Sequence, residues 1–161
     1  MSKVADVPVE LLRASVLSLF IEAFEKPGGG YFADSGVNTG IFGTTESLTA
    51  VQASASPAGD DTTVAQHVEH VRWSLALDNA FARGEEPTPD WEESWSVRTV
   101  TDTEWDKLRA DLKSEYEELR VALSNLENWT DPNILTGVIG TLPHMAFHLG
   151  VIRLLARLAT K

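Results

Sequence analysis

The stretch PHMAFHLG, residues 143–150, sets two imidazoles four residues apart in an otherwise apolar run. Four residues is about one helical turn, so His144 and His148 project from one face toward one partner. That spacing suits two nitrogen ligands on a metal ion, and core packing can produce the same spacing. The chain has only four histidines, and the other two, His67 and His70 in QHVEHV, lie three residues apart and share a face as well. On helical wheels His67, His70, Ser74, Leu77 and Phe81 form one inward stripe. Gly137, Thr141, His144, His148, Val151 and Leu155 form another. Imidazoles buried among Leu and Phe need a hydrogen-bond partner, a charge partner or a metal. Convergence of all four on one interior favours the metal.

Other chemistries are limited by composition. With no cysteine, disulfides, thiolate ligands and a cysteine nucleophile are excluded, so any metal must use His, Asp or Glu. The formal net charge of −11 opposes nucleic-acid binding, which needs a basic stripe. The glycines of PGGGYF and GVNTGIFG lack the Lys-Ser/Thr of a phosphate loop. No Glu-x-x-His pair is present, so a ferritin-like di-iron site is not expected. No apolar run approaches the ~20 residues of a membrane span, and MSKVADVPVELL is neither a signal nor a transit peptide. The expectation is a cytoplasmic protein with no membrane partner.

Four long segments must position the histidines. The first runs from about Pro8, well placed at a first-turn position, to about Lys26, with Leu12, Val16, Leu19 and Ala23 on one face. The second follows GDDTT, where Thr62 or Thr63 can cap, and continues to Gly84. The third starts at TDTEWDKL and carries Trp105, Leu108, Leu112, Tyr116, Leu119, Leu123 and Leu126 at spacings of three and four. The fourth has Asp131 as cap and Pro132 in its first turn and extends to about Ala159. The short link between the third and fourth makes them antiparallel neighbours. Residues 84–100 are long enough to return along the molecule, so the second and third can run in the same direction. TTESLTAVQAS reads as a short extra helix in the first connection. The expected fold is a single all-α domain over residues 1–161, a four-helix bundle.

These residues also carry a resemblance. GIFGTTESLTAVQAS, TTVAQHVEHVRW and HMAFHLGVIRLL resemble, in order, the DinB-like family, also called YfiT-like. The resemblance implies an up-down-down-up bundle with one metal-ligand histidine on the second helix and an HxxxH pair on the fourth. By motif position the ligands are His70, His144 and His148; His67 is not required, and remains the fallback. Family members with known activity use low-molecular-weight thiols such as bacillithiol or mycothiol in S-transfer, or a mycothiol-dependent isomerisation, and many are dimers. A homodimer acting on a small-molecule substrate is thus implied.

Three nitrogens on a divalent ion leave a further position open, as in catalytic sites, and zinc is the first choice, with nickel or iron also accepting imidazole. Such an ion acidifies water or stabilises a thiolate, supplying the nucleophile that this chain lacks. The reading is a metal-dependent enzyme, a thiol-cofactor S-transferase or a hydrolase. A non-catalytic bundle with a vestigial site, acting in binding or oligomer assembly, is the alternative. Protons should compete with the ion near pH 6.5, the unperturbed imidazole value. Pro143 predicts a kink before the histidine pair, opening a cavity, or a crossing where Gly137 and Gly140 allow close helix approach. Trp91 and Trp95 are either a pocket lid or an aromatic plug. Arg72, Arg153 and Arg157 could neutralise a carboxylated substrate, although solvated helix faces explain them more cheaply.

Overall fold

The computed structural model describes residues 6–25, 30–32, 39–57 and 62–161. Among these there is no strand. The helices are α1 (Val9–Phe24), α2 (Ile41–Glu46), α3 (Ala50–Ala53), α4 (Val64–Ala82), α5 (Asp102–Asn125) and α6 (Pro132–Ala159), with a 3-10 turn at Glu93–Trp95. The long helices are α1, α4, α5 and α6, and they match the four periodic segments.

Their starts are set by side chains that satisfy the otherwise orphaned first-turn N–H groups. Thr63 accepts from the Gln66 N–H while the Gln66 side chain accepts from the Thr63 N–H, and Thr101 with Glu104 repeats the arrangement on α5. Asp131 accepts from Asn133 and Ile134 at α6, with Pro132 in the first helical position. Pro8 stands one residue outside α1, in an extended conformation, rather than in its first turn. Helix α1 ends at Phe24; Lys26 and most of KPGGG lie outside the described residues. Gly84, at φ +81, turns the chain out of α4.

Three expectations about packing change. Helices α5 and α6, expected to be antiparallel neighbours, scarcely touch, because each packs instead on α1 and α4. The first connection holds two short helices instead of one, because Thr49 forms its own capping box with Gln52 and so breaks α2 from α3. On α1, Val16 and Ala23 are buried as expected and are joined by the fully buried Phe20 and Phe24, whereas Leu12 and Leu19 are only half-buried. The helix is rotated by the larger aromatic payload: the rings of Phe20, Phe24 and Phe42 gather on Tyr116 at centroid distances of 5.2, 4.8 and 5.1 Å. The α5 stripe is buried from Trp105 to Leu123, as its period requires.

Cross-helix bonds place α4 at the centre. Asn79 donates to the Glu115 carbonyl, Arg83 pairs with Glu118, and Thr63 donates to the carbonyl of Arg98 just before α5. Residue numbers therefore rise together along α4 and α5. Against α6 they run oppositely, from His67 with His148 to Asp78 with Thr141. Against α5, α1 likewise runs oppositely, with Arg13 on the Leu126 carbonyl and Glu25 accepting from Tyr116.

Contrary to the expectation of no such run, α6 is long and apolar enough to cross a membrane by length and composition, with mean hydropathy 1.4 over 18 residues. Thr, Gly, Pro and His interrupt the run, but its Leu, Ile, Val, Phe, Met and Ala outweigh them in that average. Its inward side packs Leu142, Met145, His148, Leu149 and Ile152 into the core. Pro143 sits within the unbroken helix on an exposed position, and Ile139, whose carbonyl loses its N–H partner, is also about half exposed.

The stripe on α5 should dominate stability. Leu112→Ala, at a fully buried site, is expected to cost about 2–5 kcal/mol in urea unfolding. Val121→Ala, on the exposed face of the same helix, should change it by about 0.5 kcal/mol or less. Equal losses at the two positions would show that this face is not the core.

Candidate metal centre

Helix α4 presents His70 and α6 presents His144 and His148, so that one nitrogen from each lies within 4.8 Å of the others. The Nε2 atom of His144 is 3.1 Å from Nε2 of His70 and 3.0 Å from Nε2 of His148. Nitrogens bound tetrahedrally to zinc at 2.0–2.1 Å stand about 3.3 Å apart, so small ring movements would accommodate an ion. His70 and His148 are buried and His144 is half-buried, leaving the cluster closed on the core side.

Hydrogen bonds behind the rings assign which nitrogens face the centre. The Ser94 hydroxyl donates its single proton to the Trp91 carbonyl at 2.7 Å, so it must accept from Nδ1–H of His70 at 2.8 Å. His70 is then the tautomer whose Nε2 lone pair points toward His144. His148 is backed in the same way, its Nδ1 lying 2.9 Å from Nδ1 of His67. With the Nε2 lone pair of His148 turned to the cluster, its Nδ1–H donates to His67. A hydrogen bond on the far nitrogen both orients a metal-binding imidazole and raises its basicity. His67 therefore stands behind the three-nitrogen cluster, not in it.

The same three nitrogens sit inside a stretch of recognisable family character, since the model of the DinB superfamily matches residues 41–151. The chain belongs to the DinB superfamily. No curated protein and no solved structure matches it. The matched stretch runs from the start of α2 to three residues beyond His148 and takes in all four histidines of this DinB protein.

Burial and mutual repulsion hold the rings neutral. Desolvation, with the neighbouring His144 and His67, lowers His70 to about 4. Desolvation followed by the other three imidazoles lowers His148 to about 3, and desolvation lowers His144. Trp95 stacks on His70 at a centroid distance of 4.2 Å and meets His67 edge-on at 5.1 Å, excluding water from that side. The opposite side opens into a cleft of about 460 Å³ bordered by His70, His144, Ser74, Asp78 and Trp91. Burial raises Asp78 to about 6, offset in part by the hydrogen bond from Thr141 at 3.0 Å.

Sequence reasoning placed the histidines on the right faces but missed Ser94 and Asp78. Of the tryptophan pair, Trp95 packs against His70 and His67, and Trp91, half-exposed, edges the cleft. At the far ends the stripes leave the buried core, for Phe81 is 52% exposed and Gly137 lies exposed at the rim of the cleft. Close helix approach does not explain Gly137 and Gly140, because a Cβ on either would meet nothing within 4 Å. Arg72 is paired with Glu69 and takes no part in the cleft.

The pKa shifts make the metal-free protein acid-sensitive. Imidazoles held below their unfolded value of 6.5 leave the unfolded chain to take up protons first, so stability present above pH 6.5 is lost as pH falls toward 4. Asp78 acts with the opposite sign, its raised value relieving instability as pH falls through 6. Urea unfolding with chelator present should show a net fall between pH 6.5 and 4 that His148→Leu shrinks and Asp78→Asn steepens. A flat profile would mean that the rings are hydrated in solution.

Proposed function

We propose that this DinB-superfamily protein is a metal-dependent enzyme in which His70, His144 and His148 hold one divalent ion through Nε2. The observation that carries the reading is the facing of three Nε2 atoms at hydrogen-bond spacing, two of their rings backed at Nδ1 by Ser94 and His67. A bound ion, zinc first and nickel or iron next, would supply a Lewis-acidic position at the mouth of the cleft. Ser94 holds the His70 tautomer, Trp95 keeps the core side dry, and Asp78 can accept or return a proton near neutral pH. Because the chain has no cysteine, the nucleophile must come from outside. A low-molecular-weight thiol as co-substrate makes the reaction an S-transfer, and water in its place makes it a hydrolysis.

The reading extends to architecture. The opposed pairing of α1 with α5 and of α4 with α6, and the rising pairing of α4 with α5, support an up-down-down-up four-helix bundle. Ile139, Pro143, Phe147, Gly150 and Leu154 fall on one exposed side of α6, and this apolar strip supports a homodimer. A cytoplasmic location is proposed on the same view of α6 as a wall helix, not a span.

Metal analysis tests the site. One equivalent of zinc is expected in the purified protein, lost in His148→Ala with helical content retained, whereas His67→Ala should weaken affinity about 10–100-fold. Since burial sets His70 and His148 near 4 and 3, zinc should be retained well below pH 6.5 and released toward pH 4. Conjugation of thiols to small electrophiles should then depend on the ion. Full metal in His148→Ala would sink the ligand set; bound metal without thiol or hydrolytic turnover would favour a non-catalytic binding module.

The dimer is tested separately. Phe147→Glu with Leu154→Glu should convert a dimer to a monomer in sedimentation velocity without loss of zinc. A wild-type monomer would remove the proposal.

A further inference from the structure

A second cavity of about 610 Å³ opens between α1, α4, α5 and α6, walled chiefly by Val16, Phe20, Leu119, Leu123, Val138 and Leu142. It shares Asp78, Gly137 and Thr141 with the histidine cleft, so the two spaces meet at those residues. Folded interiors close-pack and hold few voids larger than a water molecule, whereas ligand sites run to roughly 300–1,000 Å³ and are apolar with few polar groups. This chamber fits the second description: among the described residues, Asp78, Asn133 and Thr141 are the only polar side chains on its wall.

Small residues keep it open. Ala82 and Ala122 stand on its wall, and Gly137 stands where the chamber meets the cleft. A glycine within a helix lowers its stability relative to alanine, and here no neighbour within 4 Å requires the missing side chain. What its absence provides is space. The junction also selects by charge, because a carboxyl at Asp78 and a net charge of −11 disfavour an anionic ligand.

We propose that the chamber takes the hydrocarbon body of an uncharged small-molecule substrate whose reactive head passes Asp78 and Thr141 into the histidine cleft. This rests on the metal-centre reading for the head alone; the apolar body is recognised without an ion. The enzyme's substrates are then amphipathic alkyl or aryl compounds, and short polar compounds bind poorly.

Neutral alkyl hydroxamates, from acetohydroxamic to octanohydroxamic acid, probe both spaces by calorimetry on the zinc-loaded protein. Affinity should rise about threefold to fourfold per methylene until the chamber is filled. Ala122→Phe, on the chamber wall and outside the histidine cleft, should weaken the eight-carbon ligand at least tenfold while leaving the two-carbon ligand within twofold and zinc unchanged. Ala82→Phe, also on the chamber wall and outside the cleft, should do the same and serves if the first variant misfolds. N-phenyl-1-naphthylamine, uncharged and without a metal-binding head, should bind saturably to wild type and His148→Ala alike, and lose affinity in both filled variants. Absence of chain-length dependence, or naphthylamine binding untouched by both fillings, overturns the proposal. If the protein takes up no zinc, the metal reading fails, and the naphthylamine series alone decides the chamber.

Discussion

The constraint on which the site depends is that imidazoles cannot be buried together unless something stands between their nitrogens. An unsatisfied buried polar atom costs about 1–3 kcal/mol, and facing lone pairs add repulsion. His144 Nε2 meets two other Nε2 atoms at 3.0 and 3.1 Å, and it can satisfy only one of them with a single proton. A second proton is resisted, as the depressed values of His70 and His148 express. A cation held by all three lone pairs would relieve what one proton cannot. The same desolvation that keeps protons off keeps the lone pairs on offer at neutral pH.

That arrangement holds only because a non-helical segment is fastened to α4. Thr63 caps the helix and also donates to the Arg98 carbonyl, and Gln66 completes the capping box while its amide donates to the Trp95 carbonyl. Two residues that start the helix thus fix the return of residues 84–100. The 3-10 turn they hold places Ser94 against His70 Nδ1 and Trp95 on its ring. Helix initiation and the His70 tautomer are set by one set of hydrogen bonds.

What could be read in advance follows the same division. The α5 stripe, the caps at Thr63, Thr101 and Asp131, and the shared faces of the histidines all arise from periods and short-range offsets, which sequence displays directly. Ser94 lies in EEPTPDWEESWSV, where no period indicates which side chain points inward, and its role exists only after the segment folds back on α4. Asp78 looks like any surface acid on a helix until Thr141 approaches from α6. The rotation of α1 was hidden because leucine and phenylalanine count alike in a binary pattern. Tyr116 distinguishes them by gathering three rings.

Helix α6 shows why irregularity is concentrated where it is. One side must bury Met145, His148, Leu149 and Ile152, and another borders two cavities with Gly137, Gly140 and Thr141. Bulk on the second side would fill those cavities. Glycine satisfies this at the expense of helix propensity, and Pro143 adds a missing hydrogen bond. The proline is tolerable because it stands on an exposed position, one turn after the half-exposed Ile139, where water can reach the freed carbonyl. Apolar density along the rest of the helix, together with the core beneath it, then carries the stability that local propensity does not. A helix built for packing alone would have no reason to combine three glycines, a proline and two inward histidines within residues 137–150.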